Sequence, residues 1–253
     1  MKILLTNDDG VYAGGLAAMR EYLSREHDVC TIAPLTEQSG ISQAITFLVP
    51  LFARQIDTPP SNSRIAISGT PVDCIKLALF ELCPWKPDLI VSGINGGLNA
   101  GNNILYSGTV AAALEGARCG IRSFAISLEY EDEMRYDAAA EIAGPMIQSI
   151  LQTGAPAQVC FNINIPTAAI HGRRNVVIVP MQSISRGQYF VEGQDPKHRK
   201  YYWSTHGPPP KIGPVTTDEE ALREGNITVT PLDSNLTCDE SMRRLRQIDF
   251  AWE

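Results

Sequence analysis

The sequence predicts an α/β protein, a Rossmann-like three-layer sandwich on a mostly parallel sheet. Three observations carry this expectation. Short apolar runs alternate with helix-length amphipathic segments over the first two-thirds of the 253 residues. Such alternation implies crossover connections and a sheet covered on both faces. Hydrophobic residues make up 44% and charged residues 19%, enough apolar material for one full core. Polar, glycine-containing clusters follow several predicted strands, as expected where ligands gather outside the carboxyl ends of an open sheet.

The elements follow in order. Residues 2–6 are an apolar run ending in polar residues, like a buried strand, and Leu16, Met19 and Leu23 recur at helical spacing. Residues 28–33 form a second strand, closed by Pro34, and 45–51 and 64–67 are strand-like. Residues 70–82 are helical, with Thr70 as N-cap and Pro71 at the first helical position. Residues 88–92 are an apolar strand ending at Gly93, 109–119 an Ala-rich helix, 123–127 a strand and 136–151 a longer helix. Two more strands fall at 159–165 and 176–179.

The last third differs. Residues 185–193 and 199–205 read as a two-stranded arm around a polar turn, and Gly207-Pro208-Pro209-Pro210 breaks regularity. A short helix at 218–224, a strand at 227–230 and a charged helix at 236–248 follow. Such a hairpin has little to pack on in its own chain and is expected to reach a partner subunit. The expected organisation is one domain over 1–253, with an α/β core at 1–180 carrying the site and an oligomerisation arm and helix at 181–253.

Composition excludes several classes. The 21 basic and 28 acidic residues leave a net charge of −7, and no basic cluster stands out, which argues against a nucleic-acid polymer or a membrane surface as partner. Apolar runs are too short to span a bilayer. The opening reaches Asn7-Asp8-Asp9 too soon for a secretory signal. The six cysteines, at 30, 74, 83, 119, 160 and 238, contain no Cys-x-x-Cys and read as reduced thiols. A cytoplasmic protein is expected.

Four polar clusters follow predicted strands: Asn7-Asp8-Asp9-Gly10, Glu37-Gln38-Ser39-Gly40, Ser92-Gly93-Ile94-Asn95-Gly96-Gly97 and Tyr106-Ser107-Gly108-Thr109. The fold would bring them to one rim. Adjacent carboxylates repel, and one pKa rises unless a cation neutralises them. Hard oxygen donors suit Mg²⁺ or Mn²⁺, with Ser39 and Asn95 adding neutral oxygens to Asp8 and Asp9. The bland alternative is a turn with Asp9 as a helix cap. Ser107-Gly108-Thr109 opens a helix whose N–H groups and dipole favour an anion, although a plain Ser/Thr cap has the same look. Glycines at 93, 96, 97 and 101 would permit tight turns and close approach.

Other chemistries lack their residues. No Gly-Lys pair supports a Walker loop, no Gly-x-Gly-x-x-Gly follows the first strand, and no Gly-x-Ser-x-Gly is present. Cys238 and Arg244 have the spacing of a cysteine phosphatase loop, but Asp239 and Glu240 between them would repel a phosphate and raise the thiol pKa.

Together these segments resemble the SurE family of stationary-phase survival nucleotidases. The residues carrying the resemblance include Thr6-Asn7-Asp8-Asp9-Gly10, Gln38-Ser39-Gly40, Ser68-Gly69-Thr70-Pro71-Val72-Asp73, Ser92-Gly93-Ile94-Asn95-Gly96-Gly97 and Tyr106-Ser107-Gly108-Thr109-Val110-Ala111-Ala112-Ala113. Phe161-Asn162-Ile163-Asn164-Ile165-Pro166 and Tyr201-Tyr202-Trp203 extend it into the last third. The resemblance implies a metal-dependent phosphomonoesterase for nucleoside 5′- and 3′-monophosphates, with short polyphosphate cleaved by some members. It implies Asp8, Asp9, Ser39 and Asn95 as ligands of one divalent metal per subunit, Mg²⁺ or Mn²⁺. Asp8, Asp9 and Asn95 become the catalytic candidates, and Asn95, Gly96, Ser107, Gly108 and Thr109 the phosphate binders. It also implies a homodimer or homotetramer with an exchanged C-terminal arm. Activated water or direct attack by an Asp remain alternative nucleophiles, and a non-catalytic nucleotide- or phosphate-sensing module remains the alternative function.

Overall fold

The computed structural model describes residues 1–57, 63–172, 175–183, 188–206 and 216–250. The Gly207–Pro210 break and the first residues of the expected arm lie outside them. Eleven strands are described: β1 Lys2–Thr6, β2 Asp28–Pro34, β3 Ala53–Gln55, β4 Arg64–Ile67, β5 Leu89–Gly96, β6 Arg122–Leu128, β7 Val159–Ile165, β8 Val176–Ile178, β9 Gln188–Gln194, β10 Lys200–His206 and β11 Ile227–Asp233. The helices are α1 Gly14–Leu23, α2 Pro71–Leu77, α3 Gly108–Arg118, α4 Tyr136–Gln152, α5 Thr167–Ile170, α6 Asp218–Arg223 and α7 Asp239–Leu245.

Among the described residues nine strands form one sheet in the order β3-β4-β2-β1-β5-β6-β7-β11-β8, and β9 pairs only with β10. Every pair in the large sheet is parallel except β3 with β4 and β11 with β7. Burial explains the register. Ile3, Leu4 and Leu5 are fully buried, so β1 is central and covered on both faces. Ile3 and Leu5 face the cluster containing Leu16, Met19 and Leu23 of α1, whereas Leu4 faces Cys74 and Ile75 of α2. Helices α1 and α4 pack together on one face, α2 and α3 on the other. The sheet runs past position 180, because β11 lies between β7 and β8 and α6 packs on β11.

Residues 45–51, expected as a strand, are irregular, and Ile45, Phe47, Leu48 and Val49 are exposed. The strand lies just downstream, at β3. What holds the irregular stretch is hydrogen bonding. Thr70 and Asp73 form a capping box at the start of α2, Asp73 also accepts from the Thr46 N–H at 3.1 Å, and the Thr70 hydroxyl donates to the Ala44 carbonyl at 2.7 Å. The expected 70–82 helix ends its α-form at Leu77 and widens into a π-turn over Ala78–Leu82. Strand β5 continues four residues beyond Ser92, because its ladder with β6 shifts register there and resumes at Asn95 opposite Ser127. All six cysteines are free.

The sheet order reverses between β1 and β5. The chain winds outward from β1 through β2 and β4 on one side, and from β5 through β6 and β7 on the other. A switch point of this kind leaves a crevice at the strand carboxyl ends. Thr6 sits opposite Ser92 there, so both strands deliver their polar tails to one place.

Candidate metal and phosphate site

The Asn7-Asp8-Asp9-Gly10 segment leaves β1 as a tight turn. The Asn7 side chain donates to the Gly10 carbonyl at 3.1 Å and accepts its N–H at 3.2 Å. Gly10 has φ +103°, a conformation that a side chain would strain. Val11 N–H then bonds the Pro34 carbonyl at 2.8 Å, and Gln38 N–H bonds the Asp8 carbonyl at 2.8 Å. Those two bonds bring the Glu37–Ser39 loop against the first cluster.

Helix α3 enters from the opposite side. Ser107 is its N-cap, accepting from the Val110 N–H at 3.1 Å. Gly108 permits the close approach: a Cβ there would lie 2.7 Å from the Asp8 Cβ and 3.0 Å from Asp8 Oδ2. Thr109 is fully buried, and its hydroxyl donates to Asp8 Oδ1. Its backbone N–H also favours the ionised form of Asp8. Thr109, expected to bind phosphate, therefore holds the carboxylate of Asp8. Likewise the Gly96 N–H favours the ionised form of Asp9. The Gly108 N–H has no acceptor among the described residues and stands open at the helix start.

The two carboxyl groups are electrostatically uncomfortable. Burial pushes the Asp8 carboxyl above its ordinary range, against the pull of the Thr109 hydrogen bonds. Asp9, half-buried, is pushed up to about 6, first by burial and then by the charge of Asp8. Glu37 raises both further. Asn95 donates from Nδ2 to the Gly97 carbonyl at 2.7 Å, which leaves Oδ1 as an acceptor. Ser39 is exposed, and its hydroxyl donates to Glu37 at 2.6 Å, which leaves its oxygen lone pairs.

This donor set fits a hard divalent cation. It offers two adjacent carboxylates whose ionised forms are disfavoured without a positive partner, and neutral oxygens from Asn95 and Ser39. Among the described residues no group of three or more His, Cys, Asp or Glu is placed to share a metal, so the neutral oxygens would have to complete any coordination.

Two features had no legible signal in the sequence. Tyr136, at the start of α4, places its hydroxyl in the space a side chain on residue 96 would need, and its own pKa is raised by burial and by the charge of Asp9. An asparagine clasp fixes the loop after β5. Asn99 N–H bonds Asn164 Oδ1 at 2.8 Å, its Nδ2 bonds the Ser127 hydroxyl at 2.9 Å, and its carbonyl accepts from Asn162 at 2.8 Å and Asn164 at 3.0 Å.

Comparison with known proteins follows the same line. The family model described as survival protein SurE matches residues 3–187. A 5′-nucleotidase SurE of Rhodopirellula baltica is 48% identical over 247 residues, covering 97% of this chain and 98% of that protein. A 5′-nucleotidase SurE of Syntrophobacter fumaroxidans is 38% identical over 237 residues, covering 94% of this chain and 95% of that protein. Among solved structures, the crystal structure of the SurE protein from Aquifex aeolicus aligns with a TM-score of 0.84 at 32% identity, covering 98% of this chain and 99% of that one.

Proposed function

The chain belongs to the SurE family, and from that premise we propose that it is a divalent-metal-dependent phosphomonoesterase releasing phosphate from nucleoside 5′- and 3′-monophosphates. The observation that carries this reading is the packing of the Asp8 carboxylate against the first turn of α3, with Gly108 making room and Thr109 as tether. An acidic pair suited to a cation and a helix N-terminus suited to an anion thus share one crevice.

Asp8, Asp9, Ser39 and Asn95 would hold one Mg²⁺ or Mn²⁺ per subunit. The cation supplies charge neutralisation at the phosphoryl oxygens and lowers the pKa of water. The chain does the rest. Thr109 orients the Asp8 carboxylate through its hydroxyl, and the Gly96 N–H favours the ionised form of Asp9. The Gly108 N–H and the α3 dipole receive a phosphoryl oxygen, where donors fixed in advance favour the charge that builds as the ester bond breaks. Asn95 orients the phosphoryl group from the β5 side, and Ser107 keeps the helix start in register.

The domain reading is a single unit over residues 1–253, with an α/β core at 1–180 and the 181–253 region serving oligomerisation through its hairpin and terminal helix. Within that region β11 and α6 stay with the sheet. Exposed Tyr189, Phe190, Tyr202 and Trp203 on the hairpin support its exchange in a homodimer or homotetramer. Helix α7, with no buried residue, supports the same role. A cytoplasmic location fits the reduced cysteines, and among the described residues no helix is long and apolar enough to cross a membrane.

The test is phosphate release from a panel of nucleoside monophosphates with Mg²⁺ or Mn²⁺. EDTA should abolish it, and Asp8→Asn should reduce it at least about 100-fold in folded protein. Tight ligand binding with no release across the panel would instead mean a sensing module.

A further inference from the structure

Asp218 opens α6, 117 positions from Gly101 in the chain, and is fully buried. One carboxylate oxygen, Oδ2, accepts the Gly101 N–H at 2.8 Å. The other, Oδ1, accepts the N–H groups of Gln182 and Glu219, each at 2.8 Å. The Asp218 N–H itself donates to the Pro180 carbonyl at 3.0 Å. Three donors converge on this carboxylate, an arrangement only a group with several acceptor sites and no donor of its own can satisfy.

What the carboxylate holds is the stretch joining the two halves of the site. Gly101 begins a 3-10 turn, Gly101–Leu105, between Asn95 on β5 and the start of α3. The Asn103 N–H bonds the Ala100 carbonyl at 3.2 Å, and the Asn103 carbonyl accepts the Ser107 N–H at 3.1 Å. A shift at Gly101 is therefore passed through one turn of backbone to the helix start. Gly101 has φ +54°, and the Glu219 side chain fills the space its Cβ would take, so α6 also covers the turn from outside. The Asn99 clasp secures the other end of the stretch.

We propose that Asp218 is a positioning residue for phosphate-ester hydrolysis: it clamps the 97–107 stretch and thereby sets where Gly108 meets the phosphate and where Thr109 holds Asp8. This rests on the phosphomonoesterase reading for its catalytic half, while the clamp itself is a statement about the fold. Rigid placement of this kind matters because a misplacement of about 1 Å at the reacting groups can lower a rate on the order of 100-fold.

The experiment compares full-length Asp218→Asn with wild type. Asparagine keeps the size but offers one acceptor oxygen and turns its amide donor toward N–H groups. Hydrogen–deuterium exchange across 97–107 should speed up at least about 10-fold while peptides from β1 and β2 hold their protection. In the same preparation, kcat for AMP hydrolysis with Mn²⁺, per folded protein, should fall about 10- to 100-fold. A purely structural residue would lower the folded fraction without lowering kcat per folded molecule. Unchanged exchange over 97–107, or kcat within about two-fold of wild type, overturns the proposal. If Asp218→Asn does not fold, Asp218→Ser carries the same comparison, because water can enter the space it opens. Wild type inactive on every nucleotide would sink the phosphomonoesterase reading, and the exchange measurement would then decide the clamp alone.

Discussion

Replacing Asp9 by Asn should stabilise the metal-stripped protein at neutral pH while destroying its response to metal. The Asp9 carboxyl is pushed from 3.8 to about 6 in the folded chain, so the folded state binds this proton more tightly than the unfolded state does. Stability tied to the protonated group is complete below 3.8 and is lost as pH rises through about 6. A gap of about 2 pH units corresponds to roughly 3 kcal/mol, and solvent reaching a half-buried side chain reduces it to about 1–2 kcal/mol. In a chain of this size 1 kcal/mol moves the melting point by about 2–4 °C. In EDTA at pH 7.5, Asp9→Asn should therefore melt about 2–8 °C above wild type, with roughly half that gap left at pH 5. Added Mn²⁺ should raise the wild-type melting point by mass action and leave the variant nearly unmoved. Differential scanning fluorimetry reads both. A variant that melts at or below wild type in EDTA at pH 7.5 would refute the account of an uncompensated acidic pair.

Gly108→Ala drives a methyl group to 2.7 Å from the Asp8 Cβ, an atom with no freedom to swing away. Overpacking of this sort costs about 1–3 kcal/mol, visible in urea unfolding, and turnover should drop at least about 10-fold; wild-type turnover would mean that α3 does not need its close approach to Asp8. On the proposed arm exchange, removing 188–206 should leave a monomer by light scattering, since among the described residues β9 and β10 pair only with each other and expose aromatic side chains; a subunit number unchanged from the full chain would take the hairpin out of the interface.

The sheet was legible because its strands are locally self-consistent. Apolar runs with polar ends mark β1, β2, β4 and β7 without help from the rest of the chain, and Asn7–Gly10 and Ser107–Thr109 sit at strand and helix ends where the chemistry of their side chains has a place. Residues 45–51 misled because a β-prone apolar run reads alike whether it lies in a sheet or is tied down by Asp73 and Thr70 from a distant helix. Thr109, expected to meet phosphate, has Asp8 as its hydroxyl's partner, a choice made by the depth to which Gly108 lets α3 descend. Asp218 and the Asn99 clasp escaped altogether. Their partners lie 117 and 65 positions away, and a buried carboxylate that accepts from three backbone amides leaves no periodicity to find.

The position of β11 also sets a timetable for biosynthesis. Strand β7 borders β6 on one side and waits for β11 on the other, and among the described residues β8 pairs only with β11. Among the described strands β11 comes last in chain order, so a chain made from its N-terminus closes this edge last. Until then the nascent protein carries β7 with an open row of backbone donors and acceptors, a template on which neighbouring chains on the same message can pair. The α6 segment that holds Gly101 arrives in the same late stretch. A ribosome stalled before residue 218 would therefore release a product with most of its sheet, an adhesive edge and an unclamped site, which makes the interval before β11 is made the one in which this protein most needs protection from its own copies.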